Sequence, residues 1–195
     1  PRFSPDMMHL PLLVMKRGII HLYKIDILFL DREFEHDVYE LIKAFYPEAE
    51  IHTLYDEAEA GEYDLRFRVE RENETYKISY DRRENVTAGF TERKGVASAD
   101  VIGEDKLTVK DPHALRKENK DALKYALYQL LVKLTGRTLP WGNLTGIRPA
   151  KLAMGMIESG MKNTEAAREM REKYLVSPEK TALAVTIANR EREIL

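Results

Sequence analysis

The residues best suited to binding gather in one stretch, 139–151, which reads LPWGNLTGIRPAK and holds the sole tryptophan, Trp141. Proline lacks an amide donor and presets its backbone for a helical first turn, so Pro149 predicts a helix over about 149–159. The opening amides of such a helix lack partners. Arg148 and Lys151 flank them, a pattern suited to holding a phosphate or carboxylate. The same residues also have a plainer reading, which is the default because short motifs often match by chance. On it, Trp141 and Leu144 plug a core between two lobes, Gly142 and Gly146 permit tight turns, and Arg148 pairs with a nearby acid.

A second group is the run Arg116, Lys117, Lys120 and Lys124. Three readings compete for it: a solvated helix face, which the pattern favours, a docking surface, or a phosphate contact. Nothing resembles a catalytic constellation. There is no cysteine, which rules out thiolate nucleophiles, disulfides and cysteine-ligated zinc or iron–sulfur centres within these residues. His9, His21, His36, His52 and His113 are scattered without metal-ligand spacing, and no glycine-rich phosphate loop follows a strand. Paired acids such as Glu57 and Glu59 read as a solvated loop. The catalytic, cofactor and metal assignments within the chain are therefore none.

The 195 residues carry a formal net charge of −2 with 33% charged side chains, so no global basic field favours nucleic acid as a partner. The longest apolar runs fall well short of the ~20 residues that span a bilayer. Residues 1–18 place their cations after the apolar run, unlike a signal peptide, and read as a tag or an over-extended start; a cytoplasmic location is the expectation.

The elements that must position these groups follow from periodicity. Residues 19–30 predict a strand apolar on both faces (Ile25, Ile27 and Phe29 against Leu28 and Leu30), hence central in its sheet. Asp31 offers a helix cap, and Phe34, Val38, Leu41, Ile42 and Phe45 recur at helical spacing up to Pro47. Residues 51–55 predict a second strand. Tyr63, Leu65, Phe67 and Val69, then Tyr76, Ile78 and Tyr80, alternate with charged residues, predicting strands with one wet face and hairpin turns at 72–74 and 83–85. Val86, Ala88 and Phe90 continue this meander. Interleaved acids offset Arg66, Arg68, Lys77, Arg82 and Arg83, so that surface reads as solvated. Residues 93–110 read as a linker. Asp111 and Pro112 then open a long helix closed by Gly136, with Leu115, Ala122, Leu123, Ala126, Leu127, Leu130, Leu131 and Leu134 on one stripe. Three shorter helices follow: one ended by Gly160, one capped at Asn163 or Thr164, and one opened by Ser177-Pro178.

The run LPWGNLTGIRPAK, preceded by ENKDALKYALYQLLVKLTGRT and followed by YLVSPEKTALAVTIANREREIL, resembles the N-terminal region of HemZ-type proteins. These are radical-SAM relatives of oxygen-independent coproporphyrinogen III dehydrogenase found in Firmicutes. The likeness is most specific over about 117–195 and looser, in element order only, over about 19–94. It implies a downstream barrel whose CxxxCxxC motif holds a [4Fe–4S] cluster that binds S-adenosylmethionine. The present chain lacks those cysteines.

The expected fold is α+β: a small antiparallel sheet with one packed helix, then a long helix and a C-terminal helical segment. The expected organisation is 1–18 as tag or start, 19–110 as a sheet subdomain with linker, and 111–195 as a helical subdomain leading toward the barrel. What the resemblance implies is an accessory domain of a porphyrin-biosynthesis oxidoreductase, without catalysis of its own. Its partner is then the barrel of the same polypeptide, and a porphyrinogen is held by Trp141, Arg148, Lys151, Arg116 and Lys120. An RNA-binding accessory module is the alternative, since a sheet bearing aromatic residues near arginines is a form that reads single strands.

Overall fold

The computed structural model describes residues 13–16, 19–59, 61–72, 75–86, 89–100 and 112–194. Strands β1 (Leu13–Lys16) and β2 (Ile19–Leu22) form an antiparallel pair. The main sheet is built from β3 (Lys24–Phe29), β4 (Glu50–Leu54), β5 (Leu65–Glu72), β6 (Thr75–Val86) and β7 (Gly89–Asp100). Helix α1 (Glu35–Phe45) lies between β3 and β4 in sequence. The helices α2 (Pro112–Thr135), α3 (Pro149–Glu158), α4 (Asn163–Glu172) and α5 (Pro178–Ile194) follow.

The fold is α+β, but the sheet is mixed rather than antiparallel. Its order is β4-β3-β5-β6-β7, and β3 runs parallel to both β4 and β5, while β5-β6 and β6-β7 are antiparallel. The physical reason is the connections. A parallel neighbour needs a crossover, and the segment bearing α1 supplies one between β3 and β4. From β4 the chain crosses past β3 to place β5 on its other side. Only the later strands have connections short enough for hairpins.

Other boundaries shift for similar reasons. Residues 83–85 are not a turn but pair with Phe90, Thr91 and Glu92, and 93–100 continue β7 rather than forming a linker. Backbone ladders hold this ribbon, so the side-chain pattern gave little sign of it; 101–111 lie outside the described residues. Asp31 does not cap α1: its carboxylate accepts the Glu33 amide at 2.9 Å one turn earlier, and Phe34 occupies the cap position. Lys162, not Asn163 or Thr164, precedes α4, with its amide donating to Glu165 Oε2 at 2.8 Å. The long helix begins at Pro112 and ends before Gly136 (φ +68), as its sequence predicts.

The predicted strand over 19–30 divides, with 19–22 paired to β1 in a separate sheet and Leu30 half exposed past the end of β3; β3 itself is an interior strand, as its apolar faces predict. Ile25, Ile27 and Phe29 meet Leu65, Phe67 and Val69 and pack with Val38, Leu41, Ile42 and Phe45 of α1. Helix α2 adds Leu123, Leu127, Tyr128, Leu130 and Leu131 to the same core. Fully burying a leucine stabilises by roughly 2 kcal/mol, so this stripe fixes α2 to the sheet unit. Arg137, just past α2, donates to the Phe45 carbonyl and ties the two helix ends together.

The opposite face of β3 carries Leu28 and Asp26, the latter only 2% exposed. Arg66, its neighbour on β5, donates to Asp26 Oδ2 at 2.9 Å. Arg68 pairs with Glu57, and Lys77 lies 3.3 Å from Glu70 and 3.2 Å from Glu72. The mixed-sign surface is thus largely self-paired, with Asp26 as an acid that the sequence pattern did not single out. Phe67 and Tyr76 of β5 and β6 are buried in the core rather than offered for stacking.

A second core joins α3, α4 and α5 through Ala153, Met170, Tyr174, Val176, Ala184 and Ala188, with Trp141, Leu144 and Leu152 packed against it.

Candidate functional site

The stretch 139–151 folds back across α2 and closes a cleft of about 370 Å³ between α1, α2 and residues 143–147. Lys117, Lys120 and Lys124 stand at i, i+3 and i+7 on α2, which puts them on one side of the helix. All three line the cleft, together with Asp37 of α1, Thr145 and Tyr174.

Gly142 makes this path possible. Its φ is +57°, and a Cβ there would collide with the carbonyl groups of Tyr174 and Leu175. Leu175 is itself left-handed at φ 57°. Close approach lets the Asn143 amide donate to the Tyr174 carbonyl at 3.0 Å, and lets the Ser177 amide donate to the Pro140 carbonyl at 3.0 Å. The Asn143 side chain, 2% exposed, reaches the Lys173 carbonyl at 3.5 Å. The Leu139 amide donates to the Tyr128 hydroxyl at 3.0 Å, anchoring the start of the stretch on α2.

Lys124 is the polar centre of the cleft and only 6% exposed. Its Nζ donates to Thr145 Oγ1 at 2.8 Å and lies 3.7 Å from Asp37 Oδ1. Burial pulls its pKa below the ordinary lysine value, partly opposed by the field of Asp37. Lys120 lies 3.9 Å from the same Asp37 oxygen.

Lys173, at the end of α4, has the opposite balance. Burial acts against its charge, yet Glu118 at 2.8 Å and Asp121 at 3.3 Å hold its pKa above the usual range. The Tyr174 hydroxyl donates to Asp121 at 3.2 Å, and burial with that acid raises the phenol's pKa.

The residues singled out for binding do not converge on one point. Lys120 lines the cleft, while Lys151 lines an adjoining hollow of about 360 Å³ beside Met156 and Met161. Lys117 borders both. Arg148 is exposed, 3.6 Å from Glu191. Arg116 reaches the segment just before α1, donating to the Glu33 carbonyl at 3.1 Å with its guanidinium 5.0 Å from the Phe34 ring centre. Trp141 packs on the second core, its ring 5.3 Å from Lys180 Nζ.

Lys124 departs from the solvated-face reading of its cluster, because residues 139–151 cover it. Its place on the lysine stripe was visible in the sequence, but its covering was not. Among the described residues no group of three or more His, Asp or Glu is arranged to hold a metal ion, and no helix is long and apolar enough to cross a membrane.

No family model matches the chain, and no solved structure matches it. A curated protein of Bacillus subtilis (strain 168), the oxygen-independent coproporphyrinogen-III oxidase-like protein HemZ, is 40% identical to it over 75 residues. The match takes in 38% of this chain and 15% of that protein. The chain therefore carries a HemZ-like segment and corresponds to a small part of its curated relative.

Proposed function

We propose that this chain is an N-terminal accessory domain of a coproporphyrinogen III dehydrogenase-like radical-SAM protein of porphyrin biosynthesis, a module that supports chemistry done elsewhere in the polypeptide. The observation that carries this reading is the identity with HemZ over 75 residues. A cysteine-free composition accords with it, since a radical-SAM cluster needs thiolate ligands from another segment. S-adenosylmethionine and a [4Fe–4S] cluster belong, on this reading, to a barrel beyond these residues.

The chain's own contribution is to bind and orient. Guanidinium and ammonium groups form charge-assisted hydrogen bonds to carboxylates, and a porphyrinogen presents several carboxylates at the edge of an apolar ring. Lys120, Lys151, Arg148 and Arg116 offer cations, and Trp141 offers an aromatic face, at separate points that a docked partner would have to bring to one substrate. A barrel docked along α2 and α3 completes the enclosure.

Two measurements test the reading. A reading frame continuing past Leu195 is expected to encode CxxxCxxC, and a complete gene without it removes the accessory role. Titration with coproporphyrin, followed by its fluorescence, is expected to saturate and to weaken in an Arg148→Ala, Lys151→Ala double variant. Equal binding by both proteins removes these two residues from the site.

A further inference from the structure

We propose that the cleft between α1, α2 and residues 143–147 binds a small amphipathic anion. Its carboxylate or phosphate head lies on Lys117, Lys120 and Lys124, and its short apolar body lies along Leu144, Ile147 and Leu152. The assignment concerns this chain's own cleft and does not rest on the relationship to HemZ.

Lys124 is the most deeply buried cation of the cleft. An ammonium carries three donors. In the structure one of them meets Thr145 Oγ1, a neutral oxygen, at 2.8 Å, and the nearest carboxylate oxygen, on Asp37, stands at 3.7 Å. That is beyond ordinary hydrogen-bond length. Lys124, only 6% exposed, shares that one Asp37 oxygen with Lys120, which lies 3.9 Å from it, so a single carboxylate serves two ammonium groups and an anion entering the cleft completes their pairing.

The surroundings favour the same occupant. Lys117 and Lys120 stand on the same side of α2 and line the same cavity, whose volume of about 370 Å³ exceeds what a bare ion needs. Among the described residues, the amides of Thr145, Gly146 and Ile147 donate no backbone hydrogen bond, and Gly146 is left-handed at φ +73°. Successive unengaged amides near a left-handed residue form a concavity suited to anions. Leu144, Ile147 and Leu152 supply the apolar wall.

Three acids, Asp37, Glu40 and Asp121, line the cleft beside the three lysines, so an anion is held by the local placement of the ammonium groups and not by a net positive charge. Asp37 lies against Lys120 and Lys124, while Asp121 is engaged by Lys173 and the Tyr174 hydroxyl. Glu40 also lines the cleft and opposes an anion.

The test is titration of the 195-residue chain at constant ionic strength with inorganic phosphate, acetate and hexanoate, following the amide resonances of residues 144–147. Saturable shifts are expected with phosphate and with the carboxylates, with hexanoate binding about tenfold tighter than acetate through partial burial of its methylenes. Lys124→Met should weaken binding about tenfold or more, the loss of one charge-assisted contact. If that variant fails to fold, Lys117→Met with Lys120→Met on the more open part of the stripe gives the same reading. Glu40→Gln should tighten binding. Absence of a saturable shift, or unchanged affinity in the folded Lys117→Met, Lys120→Met variant, overturns the site. Equal affinity for acetate and hexanoate overturns the apolar body.

Discussion

The two cores of this molecule are built on different principles. Around the sheet, large side chains do the work: Phe29, Phe45, Phe67, Tyr76 and a set of leucines and isoleucines are fully or nearly fully buried. Around α3–α5 the buried positions are mainly alanines with Met170, Tyr174 and Val176, and Trp141 is only half-buried. The helical lobe therefore depends on close backbone approach, as at Gly142, and on polar ties such as Lys173 to Glu118 and Asp121. Volume holds one lobe, while fit holds the other. Helix α2 belongs to both, with leucines on the sheet side and Glu118, Asp121 and Lys124 toward the helical side.

The sharpest way to break the contrast is to remove volume from the sheet core. Phe67→Ala should cost about 3–5 kcal/mol, seen as a lower denaturation midpoint for the whole chain. Only a loss confined to the sheet's last strands would contradict the shared core.

Gly142→Ala attacks fit instead. Left-handed strain and the collision with the Tyr174 carbonyl together should cost about 2–4 kcal/mol. Amide hydrogen exchange should show the loss in α3–α5 and residues 143–147, with β3 and β5 still protected. Ala184→Leu tests the same lobe by overpacking and should cost about 1–3 kcal/mol, whereas a leucine at an exposed α5 position such as Ala182 should change little.

The polar ties are smaller and depend on pH. Lys173 has a raised pKa in the folded chain, so its contribution is fully present below the unfolded lysine value and is lost as pH rises through the folded one. Lys173→Met should therefore destabilise by about 1 kcal/mol near neutrality, with the difference from the parent shrinking at strongly alkaline pH. Lys124 has the opposite sign. Its pKa is lowered, so the cost of burying its charge is present at neutral pH and eases as pH rises through its folded value. In chemical denaturation across the alkaline range, the stability of the parent relative to Lys124→Met should rise with pH, the reverse of the Lys173 case. The smallest effect belongs to Arg148→Ala, whose exposed pair with Glu191 is worth at most about 0.5 kcal/mol.

Much of the fold is legible in local sequence. Pro112, Gly136, Pro149, Gly160 and the Ser177-Pro178 pair mark helix ends because each acts within a few residues of itself, through a missing donor, a left-handed backbone or a side-chain cap. The alternation of Tyr63 to Val69 and Tyr76 to Tyr80 marks strands with one buried face for the same local reason. At 83–85, predicted as a turn, and at 93–100, predicted as a linker, backbone pairing extended β6 and β7 past the point at which side chains signal it. The candidate site was legible only in part. The lysine stripe on α2 follows from spacing, but Arg116, Lys151, Arg148 and Trp141 stand apart from Lys120 because helix faces and ion pairs, not sequence proximity, place them.

The sequence by itself determined the helices and the alternating strands, the helix boundaries set by proline and glycine, the two-sided burial of β3, and the absence of any thiol. Tertiary structure alone decided that β3 has parallel neighbours, that Asp26 is buried against Arg66, and that Lys124 is covered by residues 139–151. Capping and periodicity act over a few residues, whereas pairing, covering and desolvation are settled by segments far apart in the chain, whose meeting is a property of the packed whole.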